Sequence, residues 1–436
     1  MNPNKKTFCA GAFTEIRINS DGTIQFCHAA NRSFIPDSDN VFNFSIDDYF
    51  KKSETVINTR NSLFNGDFLA ACTGCYDTEK NNSVSCRMRR NLQAGIFPDN
   101  DFIPSFYESL SRIEKVTKPK FYNINLSNLC NMGCIMCDGN YSNVVSKLHT
   151  KSGIIENNGE YLRDWTTNKK IWNSFCEHLL NNDQISCLHI MGGEPLHHKK
   201  FHELIDFLID NNHVNFHFTF VTNGSVYSQE LIEKLKKFKS LQIEISIETT
   251  KKSNGYIRYP SNTEKIIDNI KSFCQIQDDF TDVILRTVPQ ILSVDDYDSI
   301  LNLALETSTV VDSNFLHDPS FLKPNLLTES QKNKIIDKLQ AYVVKSSKNI
   351  INVRNNFDIE KRISDNAQMV INAINEPCSN IDYKRSQLVE YCAKIDSARN
   401  IDVRNYVPSI KSLFNQYDYE SARYNNKHKF KIYKRN

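Results

Sequence analysis

From residue 119 onward the chain alternates short apolar runs with helical periods. The runs read FYNINLS, ISCLHIMG, FHFTFVT, LQIEISIE, DVILRTV and STVVDSNFL, each rich in β-branched or aromatic residues and flanked by polar segments. Between them, Phe201, Leu204, Ile205 and Leu208 recur at i, i+3, i+4, i+7. Ile266, Ile270, Phe273 and Cys274 do so at i, i+4, i+7, i+8, after Ser261-x-x-Glu264, a capping-box pattern that predicts a helix start. Strand, helix, strand, repeated six times, predicts an α/β fold with a parallel sheet, open or curled as part of a TIM-like barrel. Ligands of such sheets sit at the carboxyl ends of the strands.

The pattern differs on either side. Residues 1–95 hold short strand-like pieces and loops. Ile16 and Ile18, then Asp21-Gly22, then Ile24 and Phe26 predict a hairpin with a tight turn. Residues 96–118, with two prolines, read as a linker with a short helix. From 321 to 436 the chain is expected to be helical, with one stripe at Ile335, Ile336, Leu339 and Val343 and another at Leu388, Val389, Cys392 and Ile395. The expected units are therefore 1–95, a linker at 96–118, a core at 119–320 and a helical region at 321–436.

Composition narrows the classes. Lys+Arg 53 against Asp+Glu 51 gives +2, so no strong nucleic-acid field is expected. The basic run KHKFKIYKRN reads as a solvated tail. No apolar run approaches the ~20 residues of a membrane span, and MNPNKKTFCAGAF lacks the apolar segment of a signal peptide. A cytoplasmic chain is the expectation, and there thirteen cysteines point to metal, not disulfides. Cys176, Cys187, Cys274, Cys378 and Cys392 sit in apolar patterns and read as core fillers; His197 and His198 read as a solvated pair.

The candidate chemistry begins directly after the first of the six strands. CNMGCIMC puts Cys130, Cys134 and Cys137 at the spacing C-x3-C-x2-C, with Gly133 free to let the loop curl. Three soft thiolates on a short loop suit iron–sulfur ligation, although such a triplet also occurs in zinc sites. Three ligands on a four-iron cube leave one iron open. The second strand ends Met191-Gly192-Gly193-Glu194-Pro195, which is also an ordinary turn sequence.

Together these motifs resemble the radical S-adenosylmethionine superfamily, whose cysteine loop and GGEP motif stand one βα unit apart. The resemblance implies a [4Fe–4S] cluster on Cys130, Cys134 and Cys137. S-adenosylmethionine would be held by the open iron and cleaved by one electron to a 5′-deoxyadenosyl radical that abstracts hydrogen from substrate. Gly192 and Gly193 would approach the methionine amine through their carbonyls, Glu194 would add a charge-assisted bond, and the backbone of Met136, where relatives often carry an aromatic ring, would touch adenine. Asn223, Ser246 and Glu248 stand at strand ends that line the ribose and methionine carboxylate in the family, but Ser and Asn there are also common turn formers. Arg286, among Ile284, Leu285 and Val288, either meets the cofactor carboxylate or lies on an exposed alternate position.

A second constellation lies upstream: Cys9, Cys27, then Cys72 and Cys75 as C-x2-C, with Cys86 nearby. Two separated thiols plus a pair make a four-ligand arrangement that zinc also fits. With Glu79, Ser85 and Arg87, the pattern is similar to the SPASM/twitch auxiliary-cluster module, here ahead of the core as in twitch-domain-containing radical S-adenosylmethionine proteins. Asp396 and Arg399 resemble that family's closing region. The resemblance implies a second [4Fe–4S] cluster on Cys9, Cys27, Cys72 and Cys75. Relatives follow the first cysteine with Pro-Trp and double the second; here Ala10-Gly11-Ala12 and Cys27-His28 stand instead, so Cys86 or His28 could complete the site. The expected partners are a peptide or a small sugar or alcohol substrate, and an electron donor such as flavodoxin or ferredoxin. The rival reading is a non-catalytic metal-binding scaffold with a structural zinc or iron–sulfur site.

Overall fold

The computed structural model describes residues 7–80, 84–96, 116–156, 161–316, 318–343, 359–417 and 419–424. Eight strands form one sheet: β1 Glu15–Ile18, β2 Ile24–Gln25, β3 Phe121–Asn125, β4 Cys187–Met191, β5 His217–Thr222, β6 Ser240–Ser246, β7 Thr281–Thr287 and β8 Val310–Ser313. Their order is β2-β1-β3-β4-β5-β6-β7-β8. Only β1 and β2 pair antiparallel, as the predicted hairpin, around Gly22 at φ +82°. The six apolar runs become β3 to β8, all parallel, in the open, partial TIM-like arrangement expected.

The amino-terminal segment is joined to this sheet. β1 pairs parallel with β3, in the register Arg17 opposite Asn123. The sequence pattern did not reveal this, because more than a hundred residues separate the two strands and β1 is too short to advertise its neighbour.

Alternation explains the two faces. Along β7, Val283 and Leu285 are buried under helices, while Asp282, Ile284 and Arg286 on the opposite face are half-buried. The helices Lys169–Leu180, Lys199–Asp210, Gln229–Leu235, Thr263–Gln275 and Asp298–Glu306 follow the strands. Phe201 of the second packs its ring 5.3 Å from Phe220 and 6.2 Å from Phe218. The opposite face is polar. Glu15 accepts from Asn123 at 3.0 Å, Asn123 meets His189 at 3.3 Å, and Glu244 accepts from Arg286 at 2.8 Å.

Three details differ from expectation. Asn262, not Ser261, caps the helix Thr263–Gln275, accepting from the Lys265 N–H at 3.0 Å; Ser261's hydroxyl is buried without a partner. His198 is buried, capping the helix Lys199–Asp210 and meeting Asp164 at 3.1 Å, while His197 is exposed. Cys176, Cys274 and Cys392 are core residues, whereas Cys187 and Cys378 are only half-buried. The carboxyl-terminal region is helical, with Glu329–Gln340, Ile359–Asn375 and Ile381–Arg399. Leu388, Val389, Cys392 and Ile395 are all buried; in the other stripe Ile335 and Leu339 are, while Val343 lies beyond its helix. Most of the expected linker (97–115) and the basic tail lie outside the described residues. Among the described residues no helix is long and apolar enough to cross a membrane.

Candidate metal and cofactor site

The loop after β3 has no secondary structure of its own, so other elements must hold its backbone. Gly133 N–H donates to Tyr259 O at 2.6 Å and Ile135 N–H to Ile257 O at 2.8 Å. Cys130 N–H donates to Asn143 Oδ1 at 3.0 Å, and Ser142 Oγ to Met132 O at 2.7 Å. From the carboxyl-terminal helix, Tyr391 donates to Ile135 O at 2.8 Å, and Arg399 donates to both Gly133 O and Tyr256 O. Cys130, Cys134 and Cys137 are thereby fixed on one rim, each half-buried. Burial, with repulsion from neighbouring groups, pushes their thiols up, that of Cys130 to about 12. Protonated thiols of this kind become ligands when a metal displaces the proton.

The β4 exit docks on this loop. Glu194 N–H donates to Leu129 O at 2.8 Å and Gly193 N–H to Tyr141 O at 3.1 Å. A Cβ on Gly193 would stand 2.1 Å from the Leu129 oxygen, at φ +57°, so only glycine permits the contact. Glu194 is buried, and its oxygens accept from Thr222 Oγ1 at 2.8 Å, Asn223 N at 2.6 Å and Leu196 N at 3.1 Å. Burial lifts its carboxyl to about 7 against those donors. It bolts the ends of β4 and β5 together. Asn223 in turn donates to Asn131 Oδ1 of the cysteine loop at 2.7 Å.

Glu248 and Arg286 have different surroundings from one another. Glu248 is buried in an ion pair with Arg258, with Nη2–Oε1 2.5 Å, and also accepts from Val288 N at 2.7 Å. Arg258 Nη1 stands 3.9 Å from Cys134 Sγ. Arg286 is already committed to Glu244 and Asp312. The guanidinium beside Cys134 is therefore that of Arg258, which sequence reasoning missed: its placement depends on Glu248 ten residues earlier and Cys134 far upstream. Ser246 and Met136 are half-buried on the rim.

The residues fit a cluster and its nucleotide. The donors are three soft thiols. The glycine cradle has no room for a Cβ. Asn125, at the end of β3 against Gly192, is buried with both amide atoms unpartnered. Asn125 lines a polar cavity of about 880 Å³ shared by Arg17, Gln25, Asp138, Tyr141 and Arg163. Arg17 spans it, donating to Tyr141 Oη at 3.0 Å and to His28 O at 2.9 Å.

His28 leads to the amino-terminal thiols. Cys9 and Cys27 are buried, and Cys72, Cys75 and Cys86 half-buried. Cys9 interacts with Cys72 and Cys75, and Cys27 with Cys9 and Cys75. A hydrogen bond from Cys86 draws the Cys75 thiol down to about 6, while burial holds Cys9 near 12 and Cys72 near 11. Cys86 Sγ lies 3.4 Å from His28 Nε2, and ligand atoms of Glu15, Cys27 and His28 fall within 4.8 Å of one another. Arg87, paired with Glu79 and donating to Phe8 O at 3.1 Å, and Asn91, donating to the same carbonyl at 2.9 Å, anchor the chain beside Cys9.

Residues 124–288 match the family model described as the Radical SAM superfamily. No curated protein matches the chain. Among solved structures, SuiB of Streptococcus suis bound to its precursor peptide SuiA is similar at 13% identity and TM-score 0.36, over 65% of this chain and 62% of that one. SuiB bound to S-adenosylmethionine is similar at 12% and 0.37, over 80% and 72%. Native anSMEcpe with bound AdoMet is similar at 16% and 0.38, over 50% and 60%.

Proposed function

We propose that this protein is a radical S-adenosylmethionine enzyme. The carrying observation is the docking of the glycine-lined β4 exit onto a loop of three thiols, with Glu194 and Asn223 locking the two together. Cys130, Cys134 and Cys137 would hold a [4Fe–4S] cluster beside bound S-adenosylmethionine, which together would supply one-electron reductive cleavage. This chain's residues bind and orient. Gly192 and Gly193, both at positive φ, would offer their backbone carbonyls to an ammonium. Arg258, held by Glu248, sets a fixed positive charge beside Cys134. Asn125 offers a free donor and acceptor.

Glu194, whose oxygens serve three donors, positions β5 and does not reach the cofactor in this reading. Arg286, paired with Glu244 and Asp312, shapes the barrel interior instead of gripping the carboxylate, and Ser246 stays a candidate at its strand end. The amino-terminal donors form a second metal centre, suited to taking an electron from a substrate radical. A peptide or a small alcohol would occupy the polar cavity lined by Arg17, Asn125, Asp138 and Tyr141. An electron donor of the flavodoxin or ferredoxin kind and a cytoplasmic setting complete the reading.

The test is iron and acid-labile sulfide after anaerobic reconstitution. Two clusters per chain are expected, falling to one in Cys130→Ala/Cys134→Ala/Cys137→Ala. A colourless, zinc-loaded protein would overturn the proposal.

A further inference from the structure

The amino-terminal thiols are accompanied by one imidazole in an unusual setting. Glu15, at the start of β1, is fully buried, and its Oε1 binds His28 at Nδ1. The same carboxylate accepts from His28 N at 2.7 Å, Asn123 Nδ2 at 3.0 Å and Arg90 Nε at 2.8 Å. With Nδ1 given to a carboxylate, Nε2 is the free end of the ring, and it points at sulfur: Cys86 Sγ lies 3.4 Å away. Sulfur is a poor hydrogen-bond partner for a ring nitrogen. It is the usual neighbour within a metal's ligand sphere. With metal–sulfur near 2.3 Å and metal–nitrogen near 2.0–2.1 Å, two ligands on one tetrahedral ion stand about 3.5 Å apart, so Cys86 and His28 would share one metal ion, as two protein ligands do on an iron of a two-iron cluster and not on a four-iron cube. Ligand atoms of Glu15, Cys27 and His28 also lie within 4.8 Å of one another. A histidine whose far nitrogen is fixed by a buried carboxylate is the common form of a metal-bound imidazole.

We propose that His28 Nε2 is a ligand of the amino-terminal metal centre, making its ligand set mixed thiolate and imidazole, with Glu15 as the positioning carboxylate. This rests on the second-centre reading above. It adds a consequence. A neutral imidazole in place of a thiolate removes one negative charge from a cluster, which raises its reduction potential. Such a centre accepts an electron more readily. Glu15 also ties the ligand to Asn123 of β3, so the centre is registered to the barrel interior through the sheet itself.

The test uses the full chain with Cys130→Ala/Cys134→Ala/Cys137→Ala, reconstituted with iron and sulfide so that only the amino-terminal centre is seen. Pulsed electron paramagnetic resonance of the reduced centre is expected to show the coupling of a directly bound nitrogen, altered by ¹⁵N-histidine labelling. In the same background, His28→Cys is expected to keep the iron, lose the nitrogen coupling and shift the midpoint potential to a more negative value. Glu15→Gln is expected to keep the iron and change the nitrogen coupling. Iron present without nitrogen coupling, or coupling that survives His28→Cys, overturns the assignment while leaving the second centre standing. A triple variant that retains no iron removes the second centre and this ligand with it.

Discussion

Tyr391, on the carboxyl-terminal helix Ile381–Arg399, donates its hydroxyl to the Ile135 carbonyl of the cysteine loop at 2.8 Å, across 256 residues of chain. His149 meets the same hydroxyl at 3.1 Å. The helix is thus a brace for the cysteine loop. Tyr391→Phe keeps the ring and leaves a buried carbonyl and His149 without this partner, a loss of about 1–3 kcal/mol. Thermal unfolding and iron retention, measured together, are expected to fall together; iron binding unchanged in a destabilised variant would reduce the helix to ordinary packing.

Gly193 has no tolerance. In Gly193→Ala the new methyl meets the Leu129 carbonyl, a backbone atom that cannot swing away. The β4 exit must then lift off the cysteine loop. S-adenosylmethionine binding by equilibrium dialysis is expected to weaken at least tenfold, with soluble protein still obtained because the clash lies at a loop and not in the core.

Glu248 and Arg258 are a buried pair, so removing one partner is worse than removing both. Glu248→Gln strands the guanidinium and is expected to cost about 3–5 kcal/mol in denaturant unfolding. Glu248→Gln combined with Arg258→Met is expected to recover much of that stability while still weakening S-adenosylmethionine binding. Equal losses in the single and double variants would show that the pair is not coupled.

Asp396, on the same helix, gives a pH signature of its own. Burial raises its carboxyl from 3.8 to about 6, against hydrogen bonds from Tyr419 and the Val403 N–H. A raised carboxyl pKa means the folded state binds the proton more tightly. This stabilisation is complete below the unfolded value and is lost as pH rises through about 6, a change of about 3 kcal/mol at most. Asp396→Asn is expected to flatten the stability profile between about pH 4 and 6, read by chemical unfolding at a series of pH values. An unchanged profile would show that Asp396 is ionised throughout.

Much of this was legible in the residues. The six core strands follow from their apolar runs; C-x3-C-x2-C and GGEP stood out through the family resemblance, and the fold then sets the two motifs against each other. What stayed hidden depends on distant pairings. Arg286 resembled a cofactor ligand because its partners, Glu244 and Asp312, come from neighbouring strands. Arg258 looked unremarkable in YIRYP until the fold brought Cys134 to it. Glu194 carries the motif, yet its hydrogen bonds show a bolt between β4 and β5. Asn262 displaced Ser261 as helix cap because the pattern cannot fix a helix start to one residue.

The most direct measurement is formation of 5′-deoxyadenosine from S-adenosylmethionine by the anaerobically reconstituted, chemically reduced protein. The account predicts steady production by the native chain and none by Cys134→Ala that keeps its amino-terminal iron. Production that persists in Cys134→Ala, or none from a native chain with a full complement of iron and sulfide, would contradict it.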